Sequence, residues 1–177
     1  MSIVAVILAG GASQRMGQDK AEMYGGVGRI EGCLAEAGIN RCVILCGDEQ
    51  RKSMFGGEVI PDPPGLSGLH RIIPWIREKV DASILLVPCD AFLLTTEAIE
   101  AFLAAAPDGG VPSDDEGRRQ PLFAFLPRHR PLKEEATNVT ALVQDLPAVD
   151  LHDHRSAFSN FNRPSDLQHP QLSSRQP

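Results

Sequence analysis

Residues Ile3–Leu8, the string IVAVIL, form an unbroken apolar run rich in β-branched side chains, and the run stops at Ala9-Gly10-Gly11. A half-solvated strand would alternate apolar and polar residues. A run without alternation belongs to a strand buried on both faces, as in the interior of a parallel sheet. Similar runs recur at residues 42–46 (CVILC) and 83–87 (SILLV), and between them lie stretches with helical spacing such as Ile30, Leu34 and Ala37. Strands alternating with helices imply βαβ units, a mostly parallel sheet and a three-layer α/β architecture.

The remaining punctuation completes the outline. Val59-Ile60 precedes a proline-rich turn at residues 61–65, then a helical segment carrying Leu69, Ile72, Ile73 and Ile76. Thr95 or Thr96 can cap a helix holding Ile99, Phe102 and Leu103, which stops at Pro107-Asp108-Gly109-Gly110. Residues 110–113 and 120–126 read as two strands around the polar turn at 114–117, residues 130–145 as a helix, and 148–151 as a last short strand. From Gln168 the string QHPQLSSRQP loses periodicity, so residues 1–167 are expected to form one domain and 168–177 a disordered tail.

Length and charge narrow the function classes. A chain of 177 residues is long enough for one domain with its own core and needs no disulfide or structural metal to hold it. Its formal net charge of −6 opposes broad nucleic-acid or anionic-membrane binding. No apolar run approaches the roughly 18 residues of a membrane span, and no basic segment or processing site marks a signal peptide. Cys33, Cys42, Cys46 and Cys89 are scattered without a C-x-x-C pair, and they read as small buried hydrophobes in a reduced, cytoplasmic chain.

The loop after the first strand carries the chemistry. Leu8-Ala9-Gly10-Gly11-Ala12-Ser13-Gln14-Arg15-Met16-Gly17-Gln18-Asp19-Lys20 lies at the edge where open α/β sheets bind ligands. Its glycines let backbone N–H groups approach an anion, and Arg15 and Lys20 add positive charge at the same mouth. It is not a Walker A loop, because five residues separate Gly11 from Gly17 and Gln18 stands where the lysine belongs. The dinucleotide pattern G-x-G-x-x-G fails as well.

The loop resembles the L-A-G-G-x-S-x-R-M-G-x-D-K signature of the molybdenum cofactor guanylyltransferases, with every fixed position present. Later segments follow in that family's order. Pro88-Cys89-Asp90-Ala91-Phe92 resembles its P-C-D-x-P-F, residues 62–69 resemble a shortened D…G-P-L-A-G-I, and residues 160–167 resemble N-x-N-T-P-E-D-L. The chain departs from the pattern in four places. Gln120 stands for a histidine, Pro64-Gly65 inverts the usual order, Gly47-Asp48 replaces an asparagine after the second strand, and residues 21–30 are compressed.

The resemblance implies a Rossmann-like three-layer α/β/α nucleotidyltransferase domain with a mostly parallel mixed sheet. It implies transfer of GMP from GTP to molybdopterin with release of pyrophosphate, and the Asp19-Lys20 pair favours the guanylyl over the cytidylyl branch. Leu8, Ala9, Gly10, Gly11, Ala12 and Ser13 would meet the nucleotide, with Arg15 and Lys20 on its phosphates. Asp90 would hold Mg2+, Asp19 would position Lys20 or the metal's water shell, Asp62 would face the ribose and base, and Asn160 and Asn162 the pterin acceptor. Other cofactor assembly proteins or the acceptor molybdoenzyme are the implied protein partners. A nucleotide-binding adaptor without transferase activity and a nucleotide-sugar pyrophosphorylase are the competing readings.

Two further clusters invite a role. His152 and His154 alternate as metal ligands can, although a polar turn after a strand is the favoured reading. Arg118-Arg119 and Arg128-His129-Arg130 flank the Gln120 segment and read either as solvated charge or as contacts for an anionic acceptor.

Overall fold

The alternation of side chains along each strand decides the layers. In β1 (Ile3–Leu8), Ala5 and Ile7 point to one side of the sheet while Val4, Val6 and Leu8 point to the other, and all five are buried. The first side is covered by α1 (Gly26–Glu36), through Val27, Ile30 and Leu34, and by α3 (Thr96–Ala105), through Ala98, Ile99 and Phe102. The second is covered by α2 (Leu69–Val80), through Ile72, Ile73, Ile76 and Val80. Each such side chain taken fully out of water contributes about 1.5–3 kcal/mol, and both faces of the strand collect it. This computed structural model describes residues 2–10, 19, 21–133, 135–159, 161, 166, 168 and 170–173.

β2 (Cys42–Gly47), β3 (Glu58–Pro61) and β4 (Ser83–Pro88) complete the parallel part of the sheet. β5 (Val111–Pro112) stands apart, and β6 (Phe125–Leu126) runs antiparallel to β4, giving the order β3-β2-β1-β4-β6. The result is a Rossmann-like three-layer α/β/α domain with a mixed, mostly parallel sheet, as the apolar runs predict. The chain moves outward from β1 to β2 to β3, then crosses back to place β4 on the other side of β1. A crevice therefore opens between β1 and β4 at the carboxyl edge, the usual ligand position in open α/β sheets.

Three local expectations are revised. The strand expected over 120–126 begins instead as a 3-10 turn, Pro121–Phe123, because Pro121 has no N–H to give a ladder; only Phe125–Leu126 pairs with β4. The helix expected over 130–145 shrinks to the single turn α4 (Val139–Leu142). Asn138 is the reason: its backbone is extended, and its Oδ1 accepts from the Ala141 N–H at 2.8 Å, so a new helical start is capped there. The third concerns residues expected to trail off. After β7 (Ala148–Val149), which pairs in parallel with β5, the chain reaches the short α5 (Pro170–Ser173), where Leu172 is fully buried against Phe92, Leu93 and Phe161.

The start of α3 is as predicted. Thr95 is extended, and its Oγ1 accepts from the Ala98 N–H at 3.2 Å. Thr95→Ala is expected to cost about 1 kcal/mol, which lowers the melting temperature by about 2–4 °C in a domain of this size; calorimetry checks it. Among the described residues no helix is long and apolar enough to cross a membrane.

Candidate active site

Strand register brings the two strongest sequence motifs together. Leu8 of β1 pairs with Pro88 of β4, and the Cys89 N–H donates to the Leu8 carbonyl at 3.2 Å. The segments that follow, Ala9-Gly10 and Cys89-Asp90, therefore leave adjacent strands side by side at the β1/β4 crevice. Leu8 and Ala9 root the loop in the sheet: both are buried, and the Ala9 N–H donates to the Leu45 carbonyl at 2.9 Å. Gly10 is the first exposed residue. Gly11, Ala12, Ser13, Arg15, Lys20, Asn160 and Asn162 lie outside the described residues.

Gly10 touches the end of β2. A Cβ on Gly10 would lie 2.8 Å from Gly47 Cα, and one on Gly47 would lie 2.7 Å from Gly10 Cα. Gly47 also has φ +79°, a conformation that side chains resist. The same Gly47 offers its carbonyl to the Asp62 N–H at 2.8 Å, so one glycine pair aligns the root of the glycine-rich loop with the residue after β3.

Asp90 is 6% exposed at the end of β4. Its loop is held from α1, where the Arg29 guanidinium donates to the Leu94 carbonyl at 2.8 Å and to the Ala91 carbonyl. The rings of Tyr24, Phe92 and Phe161 stack in series, with centroids 4.9 and 5.4 Å apart. That stack joins three segments: the stretch after Lys20, the stretch after Asp90, and the residue between Asn160 and Asn162 in sequence.

Asp62 is partly buried, and burial pushes its carboxyl above the usual carboxylate range. Asp19 behaves differently. Burial alone would raise it, but hydrogen bonds from Arg51 and from the Ala21 N–H, with the Arg51 charge, hold it below its ordinary value. Its Oδ2 lies 2.6 Å from Arg51 Nη1 and its Oδ1 accepts from the Ala21 N–H at 3.0 Å. Arg51 was not singled out in the sequence, where EQRKSM looks like a solvated charged turn. The available signal was Phe55, four residues on, since the guanidinium sits 5.9 Å over its ring.

The departures from the resembling motifs have structural uses. Asp48 caps the 3-10 turn Glu49–Met54 by accepting from the Gln50 N–H at 2.9 Å. Gln120 is buried and donates to Asp114 Oδ2 at 2.6 Å, which braces the turn that Arg118 closes from the other side. The basic stretches are equally committed. Arg119 donates to the Val143 and Leu146 carbonyls at 2.9 and 2.8 Å, Arg130 to those of Asp108 and Asp145 at 2.9 and 2.8 Å, and Arg128 pairs with Asp81. They tie loops together rather than forming a free cationic surface.

His152 starts a 3-10 turn beside an Asp150–Arg155 ion pair, and no group of three or more His, Cys, Asp or Glu among the described residues could cage a metal. All four cysteines are free thiols. Cys46 is buried, and burial, helped by Glu31, pushes Cys42 to about 11, so neither is placed to act as a nucleophile.

Comparison with known proteins follows the same geometry. Residues 5–146 match the family model described as the MobA-like NTP transferase domain. A probable molybdenum cofactor guanylyltransferase of Synechococcus elongatus is 30% identical over 199 residues, covering 98% of this chain and 100% of that one. The molybdenum cofactor guanylyltransferase of Photobacterium profundum is 31% identical over 182 residues, covering 92% of each. Among solved structures, the molybdopterin-guanine dinucleotide biosynthesis protein A of Archaeoglobus fulgidus superposes with a TM-score of 0.67 at 20% identity, over 98% of this chain and 100% of that chain. A 4-diphosphocytidyl-2C-methyl-D-erythritol synthase from Anaerococcus prevotii superposes with a TM-score of 0.59 at 10% identity, over 98% of each, so the fold by itself does not choose the base.

Proposed function

The chain belongs to the family of MobA-like NTP transferase domains, and from that premise we propose that it transfers GMP from GTP to the terminal phosphate of molybdopterin, releasing pyrophosphate. The observation that carries the reading is the β1–β4 register, which sets the root of the glycine-rich loop beside Asp90 at the crevice. Similarity to guanylyltransferases over nearly the whole chain supports guanine as the base.

The attacking phosphate is already an anion, so the reaction needs no strong general base. Its difficulty is to bring two polyanions together in line and to stabilise charge on the departing pyrophosphate. The backbone N–H groups of residues 10–13, with Arg15 and Lys20, meet the triphosphate; Asp62 faces the ribose and base; Asn160 and Asn162 face the pterin. Asp19, itself fixed by its bonds to Arg51 and the Ala21 N–H, positions Lys20 or the metal's water shell.

Asp90 fits a divalent cation of the magnesium type. Its carboxylate is a hard oxygen donor at the crevice, and among the described residues no group of three or more His, Cys, Asp or Glu could cage a metal, which suits an ion that takes its other ligands from phosphates and water. When bound, such an ion neutralises phosphate charge. GTP and molybdopterin are then the small-molecule partners, and the cytoplasm, where GTP is supplied, is the site of reaction.

The test is pyrophosphate release from GTP and from CTP, each with magnesium and molybdenum-loaded molybdopterin. Acceptor-dependent release with GTP alone is the expected result. Release with CTP moves the protein to the cytidylyl branch, and no release from a folded protein that binds nucleotide leaves an adaptor in its place.

A further inference from the structure

One guanidinium holds both ends of the glycine-rich loop. Arg51 Nη2 donates to the Ala9 carbonyl at 2.9 Å, immediately before Gly10, and Nη1 donates to Asp19 Oδ2 at 2.6 Å, immediately before Lys20. The third donor, Nε, reaches the Cys46 carbonyl near the end of β2 at 3.2 Å. We propose that Arg51 is a positioning residue for nucleotide binding: it ties Ala9 and Asp19, the residues at the entry and the exit of the loop, to one another and to the carboxyl edge of the sheet, so that both ends are fixed before the nucleotide arrives.

Three features make the clip specific to arginine. The three acceptors lie in three chain segments and require the planar fork of donors that lysine lacks. The pair is largely shielded, with the side chains of Arg51 and Asp19 21% and 18% exposed. The Phe55 ring backs the guanidinium and limits its swing. The electrostatics also serve the site. An unpaired Asp19 carboxylate next to Lys20 would repel an incoming triphosphate, and the Arg51 charge cancels it without a cation in the phosphate path.

The loop spans residues 10–18, and a chain of that length with free ends must lose conformational freedom each time it wraps a ligand. With both ends fixed in advance, that loss is met on folding rather than on binding. This role rests on the reading that the loop binds the nucleotide triphosphate. The prediction is therefore divided into one measurement that needs the reading and one that does not.

Amide hydrogen exchange of the ligand-free protein, comparing wild type with Arg51→Ala and Arg51→Lys, follows peptides covering residues 9–10 and 19–22. Exchange there is expected to quicken at least tenfold in both variants, while β4 and α3 exchange as in the wild type; unchanged exchange at the loop ends overturns the clip, whatever the enzyme's activity. In steady-state assays KM for GTP is expected to rise about tenfold in Arg51→Ala, with KM for the acceptor within about twofold, and Arg51→Lys is expected to recover little of the loss. Asp19→Asn in the Arg51→Ala background is expected to add no further rise in KM for GTP and to recover part of it, because it removes the carboxylate that Arg51 no longer neutralises. Loosened loop ends with an unchanged KM for GTP, equal rises in both KM values, or full recovery by lysine would each overturn the positioning role. A wild-type protein that transfers no nucleotide would instead refute the functional reading and leave the exchange result to decide the clip.

Discussion

Asp90→Ala and Lys20→Ala are each expected to lower turnover by about tenfold or more, a loss of roughly 1.4 kcal/mol or more of transition-state stabilisation. For Asp90 the backbone course of its turn does not depend on the side chain. The carboxylate sits at the end of β4, while its own backbone carbonyl accepts from the Phe92 N–H at 2.8 Å and the next N–H, of Ala91, donates to the Pro88 carbonyl at 3.1 Å. Both backbone bonds survive truncation of the side chain. Arg29 continues to hold the carbonyls of Ala91 and Leu94, so the loop keeps its course. Truncation removes the carboxylate's own interactions and, on the proposed reading, the hard oxygen donor beside the root of the glycine-rich loop. Asp90→Asn keeps the shape and a weaker oxygen ligand, and it is expected to show most of the same loss with a higher magnesium requirement. Pyrophosphate release at saturating GTP, read beside thermal unfolding of the same samples, is the measurement; a folded variant with a near-normal rate overturns the role of that residue.

The parts of the site legible in the sequence are those whose signal is local. The run Ile3–Leu8, the adjacent glycines and Asp90 after a second apolar run each announce themselves within a few residues, because strand burial and tight turns are short-range constraints. The parts that were illegible depend on pairings across the chain. Arg51 lies 32 residues from Asp19 and 42 from Ala9, and its one local signal, Phe55, does not tell which carboxylate and carbonyls it reaches. Arg119 and Arg130 looked like free charge for the same reason, since their acceptors are backbone carbonyls, which every residue has. Leu172 sits in a stretch of polar residues and prolines. Only the fold shows that Phe92, Leu93 and Phe161 leave a place for it. The long helix expected over 130–145 failed for a local reason: Asn138 and its β-branched neighbours Thr137, Val139 and Thr140 favour a cap and a restart over a continuous helix.

The glycine pair Gly10–Gly47 at the root of the glycine-rich loop yields a prediction that separates backbone strain from close approach. Gly47→Ala puts a methyl group 2.7 Å from Gly10 Cα and carbonyl oxygen while holding alanine at φ +79°, and backbone atoms cannot rotate out of the way as side chains do. The cost is expected to be about 2–4 kcal/mol, combining left-handed strain with overpacking. Gly65→Ala is the control. Gly65 has φ +76°, almost the same conformation, yet nothing lies within 4 Å of its added Cβ, so only the strain is paid there and about 1–2 kcal/mol is expected. The difference between the two unfolding free energies in urea measures the close approach of β1 and β2. The functional consequence follows from the same contact. Relieving it moves Gly10 away from Gly47, and the Gly47 carbonyl also carries the Asp62 N–H, so one substitution displaces the root of the glycine-rich loop together with Asp62, the residue proposed to face the ribose and base. Under conditions where Gly47→Ala remains folded, KM for GTP is expected to rise severalfold, whereas Gly65→Ala is expected to leave it within about twofold, because Gly65 touches neither strand end. Equal destabilisation by the two substitutions would show that Gly47 is required for its φ alone and that the sheet edge can absorb the added methyl.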